Sequence, residues 1–101
     1  MDVTAGSGNV FADLGFSEPE VHLAKAKIAA QIAQAIRAQE LTQKQAADLL
    51  GLDQPKVSAL VRGKLSGFTL ERLLRLLTEL GYDVEITTRQ VEGKGHIGVA
   101  A

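Results

Sequence analysis

Residues 43–62 read QKQAADLLGLDQPKVSALVR, and the spacing of small and apolar side chains within them decides the fold. Ala46, Leu50, Leu52, Val57 and Leu60 recur as the inward set of two short helices, and Ala47 is small enough to let the second helix approach closely. Gly51 takes the turn between them, because glycine accepts the left-handed conformation in which many helices end. Thr42-Gln43-Lys44-Gln45 has the form of a capping box, in which the threonine hydroxyl and the glutamine amide satisfy each other's backbone N–H groups. Asp53 caps the second helix and Pro55 lies in its first turn, where a missing N–H costs nothing. Leu52 and Val57 form its hydrophobic staple and Gly63 stops it. The result is two helices joined through a three-residue corner.

Upstream, Ser17-Glu18-Pro19-Glu20 is a second capping box, with Phe16 and Val21 as staple. Val21, Ala24, Ile28, Ile32, Ala35 and Ile36 then follow at three- and four-residue spacing, which predicts one long amphipathic helix to about Gln39. Downstream, Thr69 caps a further helix whose Leu70, Leu73, Leu74, Leu76, Leu77 and Leu80 make a broad apolar face, closed by Gly81. Residues 64–68 read as a short loop. Tyr82 to Arg89 alternates apolar and polar residues with β-branching, a strand signal. Four segments follow: 1–16 as a flexible leader with a short extended patch from Asn9 to Leu14, 17–81 as the folded domain, 82–90 as a strand, and 91–101 as a flexible tail.

With 101 residues there is room for one domain and one modest core. Aromatics make up 4% of the chain, so the core must be closed by Ala, Leu, Ile and Val, which suits packed helices. The absence of cysteine excludes disulfides, thiolate metal sites and a cysteine nucleophile. His22 and His96 have no clustered ligands around them in the sequence, so no metal site and no cofactor is expected. Gly93-Lys94-Gly95-His96 is only superficially like a phosphate loop, for no strand–loop–helix context surrounds it. The start of the chain lacks the basic and apolar runs of a signal peptide, and no stretch is long enough to span a bilayer, so a soluble cytoplasmic protein without membrane association is expected.

The net charge of −1 argues against a nucleic-acid partner, since phosphate attraction is the main sequence-independent source of such affinity. Its distribution weakens that argument. Residues 1–20 hold Asp2, Asp13, Glu18 and Glu20 and no base, which leaves eleven Lys and Arg against eight acids in the remainder. Residues 41–65 carry Lys44, Lys56, Arg62 and Lys64 against Asp48 and Asp53. With Val57, Leu60 and Val61 turned inward, the second short helix presents Gln54, Pro55, Lys56, Ser58, Ala59 and Arg62, a flat face without acidic residues. A helix that enters the major groove of duplex DNA needs such a face, because bulky or anionic groups hold it off the base edges.

The stretch LTQKQAADLLGLDQPKVSALVRG resembles the helix-turn-helix of the lambda repressor and Cro, or XRE, family, and the likeness covers about residues 24–80. The resemblance implies that Gln43 contacts phosphate and supports Gln54, and that Gln54 reads a base, adenine being the bidentate partner of an amide. It implies that Lys56, Ser58 and Ala59 extend the reading surface of the recognition helix, residues 54–62, while Arg62 and Lys64 hold phosphate. Pro55 departs from the small polar residue common at its position and removes a base contact there. The expected fold is therefore all-α: a compact four-helix or five-helix lambda-repressor-like domain with a short C-terminal β-strand.

One reader of this size has a small interface, so a homodimer on two half-sites about 34 Å apart is expected. The 82–89 strand could pair with its copy, with the Asn9–Leu14 patch of a neighbour, or with that patch in its own chain. The whole chain also resembles XRE regulators that act as HigA-type antitoxins, which implies a small basic ribonuclease toxin as partner. No catalytic constellation is present, so an enzyme is not expected.

Overall fold

In the computed structural model, which describes residues 18–100, helical spacing becomes four helices: α1 (Glu18–Ala38), α2 (Gln43–Leu50), α3 (Gln54–Val61) and α4 (Leu70–Glu79). The expected leader, its Asn9–Leu14 patch, Phe16 and the cap residue Ser17 lie outside the described residues. α1 is the scaffold. It packs against α4 and α3, and α2 packs against α3 and α4. Ala24, Ile28, Ile32, Ala35 and Ile36 of α1 are buried as their spacing requires, and Ala29 and Ala33 join them. Ile32, Val57, Leu60 and Leu73, with at most 1% of their surface exposed, form the centre of the core.

The three N-caps expected within the described residues are present. In α2 the Gln45 N–H donates to Thr42 Oγ1 at 3.0 Å while the Thr42 N–H donates to Gln45 Oε1 at 2.8 Å, closing the capping box. The Lys56 N–H donates to Asp53 Oδ1 at 2.9 Å, and the Arg72 N–H to Thr69 Oγ1 at 3.0 Å. Each hydroxyl or carboxylate occupies an N–H group that has no partner inside its helix.

The four helices end alike. Beyond each, an N–H reaches back five residues to a carbonyl: Leu41 to Ile36, Leu52 to Ala47, Lys64 to Ala59 and Tyr82 to Leu77, at 2.9–3.1 Å. This closure needs a left-handed residue just before the donor. Gly51, Gly63 and Gly81 supply it after α2, α3 and α4, but α1 uses Glu40, at φ 55°. That is the one non-glycine residue with positive φ among the described residues, in a conformation that costs an L-residue about 1–2 kcal/mol.

The C-terminal strand is not formed. Residues 82–90 contain no strand, and the described residues form none elsewhere, so the expected fold class is corrected to four helices without a β-element. A strand exists through a hydrogen-bonded neighbour, and residues 83–90 make no backbone–backbone hydrogen bond. The alternation that suggested it is satisfied at one position: Val84 packs against the core, whereas Tyr82 and Ile86 remain 44% and 75% exposed. The stretch read as a flexible tail does have partners. Ile97 and Val99 pack against the core, Glu20 Oε1 meets His96 Nδ1 at 2.9 Å and Glu20 Oε2 accepts the Ile97 N–H at 3.3 Å. Lys27 Nζ donates to the Val99 carbonyl at 3.4 Å. Glu20 and Lys27 are two turns apart on α1, about 10 Å, which an extended run from His96 to Val99 also spans. The end of the chain thus lies along α1.

Candidate nucleic-acid interface

The corner places the candidate residues by burying what flanks them. Ala46, Ala47, Leu50 and Leu52 go into the core on the α2 side, and Val57 and Leu60 on the α3 side. Position 57 is wholly buried, so a helical repeat of 3.6 residues turns Pro55 and Lys56 outward, while Gln54 is exposed at the open first position of the helix. Ser58 and Ala59 are half-buried at the flank of that face, and Val61 is half-buried against the core. Gln43 is exposed at the first position of α2, as Gln54 is at the first position of α3. No hydrogen bond joins the two amides.

The cations stand at the far end of α3. Arg62 follows the last helical residue, Val61, and its Nε donates to the Ser58 carbonyl at 3.4 Å, a long bond that leaves most of the guanidinium free. Lys64 is exposed one residue beyond Gly63, and Lys44 is exposed on the first turn of α2. No acidic side chain lies between Gln54 and Lys64. Asp53 precedes the helix and its Oδ1 is engaged by the Lys56 N–H.

The eight candidate residues thus occupy one short segment, with Gln43 contributed by the neighbouring helix. Local spacing did not show Arg72 and Arg75, both exposed on α4 beside the connection from α3. They fall outside the two-helix pattern, and α4 comes to lie beside it through its packing on α1 and α2 and the path of residues 63–69. Phe68, read as part of a loop, is buried at 5% and anchors that path.

The site offers little to any chemistry other than recognition. Among the described residues no three His, Asp or Glu side chains gather as a metal site, and no buried side-chain N or O lacks a partner. Nor is any helix there long and apolar enough to cross a membrane.

Two capped helices meeting at a glycine corner, with an acid-free outer face on the second, define a helix-turn-helix DNA-binding domain. A family model described as a helix-turn-helix domain matches residues 10–89. A solved structure described as an XRE family transcriptional regulator superposes with a TM-score of 0.78 at 40% identity, covering 84% of this chain and 99% of that one. A comparison with curated proteins gives no match. The chain belongs to the XRE family of helix-turn-helix transcriptional regulators. It is a DNA-binding regulator from a family of transcription factors, not of enzymes.

Proposed function

We propose that the protein is a repressor that binds a palindromic operator as a homodimer, each subunit laying α3 in the major groove. The observation that carries this reading is the outer face of α3: Gln54, Pro55 and Lys56 fully presented at its start, no acid along it, and Val57 and Leu60 locked beneath. Gln54 reads a base through its amide, Lys56, Ser58 and Ala59 complete the reading surface, and Gln43, Arg62 and Lys64 hold phosphates on either side. Pairing follows from the weak overall charge. A chain of net charge −1 gains little from bulk attraction, so two half-sites read together must supply the affinity.

Selection of bound sequences from a random duplex library tests the reading, and an inverted repeat with half-site centres one helical turn apart is expected. Gln54→Ala relaxes preference at one position per half-site, whereas Arg62→Ala weakens binding to every sequence. Equal losses from both variants on selected and random DNA would refute the division of roles.

A second reading, an antitoxin that neutralises a small basic ribonuclease and represses its own operon from the cytoplasm, is supported by the four acids and no bases in residues 1–20. Co-purification with the product of a neighbouring gene tests it. An isolated gene and no captured basic partner count against it.

A further inference from the structure

Between the connection that leaves α3 and the outer face of α4 lies an open notch of about 350 Å³, lined by Gly67, Thr69, Glu71, Arg72 and Arg75. Two of its five lining residues are arginines, in a chain that has few cations to spend on DNA. Arg75 Nη2 meets Glu71 Oε1 at 3.2 Å, so the notch's one carboxylate is already matched by one guanidinium. The other guanidinium, on Arg72, makes no ion pair and no side-chain hydrogen bond. The notch therefore has an excess positive charge carried by a group whose planar fork suits phosphate oxygens.

Its position matters as much as its charge. Gly67 is three residues beyond Lys64, so their Cα atoms are at most about 11 Å apart. The Phe68 N–H donates to the Leu65 carbonyl at 3.0 Å, which folds the connection into a turn and brings them closer than that limit. The buried Phe68 side chain fixes the turn to the core. The cationic end of α3, Arg62 and Lys64, thus continues into the notch over a short, anchored piece of chain.

We propose that this notch, with Arg72 as its principal donor, holds a phosphate of the DNA backbone beside the groove that α3 enters. The inference rests on the DNA-reading role of α3 and adds to it a phosphate anchor outside the helix-turn-helix. It explains how a subunit with so little net charge keeps its recognition helix seated: Arg62, Lys64 and Arg72 follow one another from the end of α3, across the anchored connection, to the notch. Glu71 opposes the phosphate, and Arg75 holds that opposition down.

The test is a titration of the full chain with a mixed-sequence duplex, at salt from about 50 to 200 mM, for the unmodified protein and for Arg72→Ala, Arg72→Lys, Glu71→Gln and Gln54→Ala. Each backbone phosphate contact contributes about 0.9 to the slope of log affinity against log salt. Arg72→Ala is expected to lower the slope by about that amount, so that its affinity falls about 3.5-fold less over this range than that of the unmodified protein. Arg72→Lys restores the slope, and Glu71→Gln tightens binding. A slope unchanged in Arg72→Ala, with the helical content of the variant intact, overturns the inference. Inorganic phosphate, titrated without DNA, separates the other source of the same chemistry: protection of the Arg72 signals by phosphate together with an unchanged DNA slope assigns the notch to a free anion and overturns the DNA anchor. Failure of the unmodified protein to bind any duplex would instead overturn the parent reading, and a Gln54→Ala effect on specificity without an Arg72→Ala effect on slope would overturn this inference alone.

Discussion

The corner from Thr42 to Arg62 and the segment from Tyr82 to Ala100 are nearly equal in length, yet they are held by opposite means. In the corner every decisive bond is local. The caps span three residues, the helix closures five, and the apolar positions recur within a turn or two. In the C-terminal segment the bonds to Lys27 and Glu20 of α1 reach back 72 to 77 residues. A local code makes a rigid unit whose outer face can be aimed. A few long-range bonds at the surface fix where a chain lies, and little else.

That contrast ranks the expected effects of mutation. The largest belongs to the floor of the corner: Leu60, 1% exposed, supports α3 directly, and Leu60→Ala costs roughly 2–5 kcal/mol through lost burial and the cavity left behind. Chemical denaturation reads the loss, and DNA binding goes with it. A cost near that of a surface substitution would show that α3 does not depend on this floor.

Next comes the turn. A Cβ on Gly51 meets nothing within 4 Å, but its φ of +66° is one that L-residues rarely adopt. Gly51→Ala therefore costs about 1–2 kcal/mol from conformation alone. The same logic runs backwards at the end of α1, where Glu40 makes the closure that glycine makes elsewhere. Glu40→Gly relieves strain and gives up some chain entropy, for a net gain of up to about 1 kcal/mol in thermal or denaturant melting. Destabilisation by Glu40→Gly would mean that the carboxylate is worth more than the strain. Between these stand the caps: Asp53→Ala loses the Lys56 N–H bond and costs about 1 kcal/mol.

The same contrast explains what was legible in the sequence. Thr42, Asp53 and Thr69 as caps, Gly51, Gly63 and Gly81 as helix stops, and the buried stripe of α1 could all be read, because each is a relation among residues a few positions apart. The outward set of α3 followed by subtraction. Tyr82 to Arg89 was misread because alternation states which side chains could share a face, not whether a partner backbone exists; here Val84 alone meets the core. His96 as a partner of Glu20 and Arg72 as a neighbour of the α3 exit left no local trace. Both depend on how helices far apart in sequence come to lie together.

The smallest effect expected is at the other end of the comparison, where the segment is clasped to α1. The hydrogen bond with His96, and after it that from the Ile97 N–H, holds the Glu20 carboxyl below its ordinary value of 4.5. A carboxylate stabilised in this way contributes fully above pH 4.5 and loses its contribution as pH falls through its lowered folded value. Acid should therefore loosen residues 96–99 before it unfolds the corner, whose bonds run mainly between backbone, hydroxyl and amide groups that do not titrate. Amide exchange at Ile97 measures this directly: it quickens on acidification relative to exchange in α3, and at neutral pH it is already quick in Glu20→Ala. Because the clasp is exposed and solvent-screened, Glu20→Ala should change neither the melting midpoint appreciably nor the affinity for DNA. A midpoint lowered as far as by Leu60→Ala would dissolve the distinction between the two regions, for the segment would then belong to the core that carries α3.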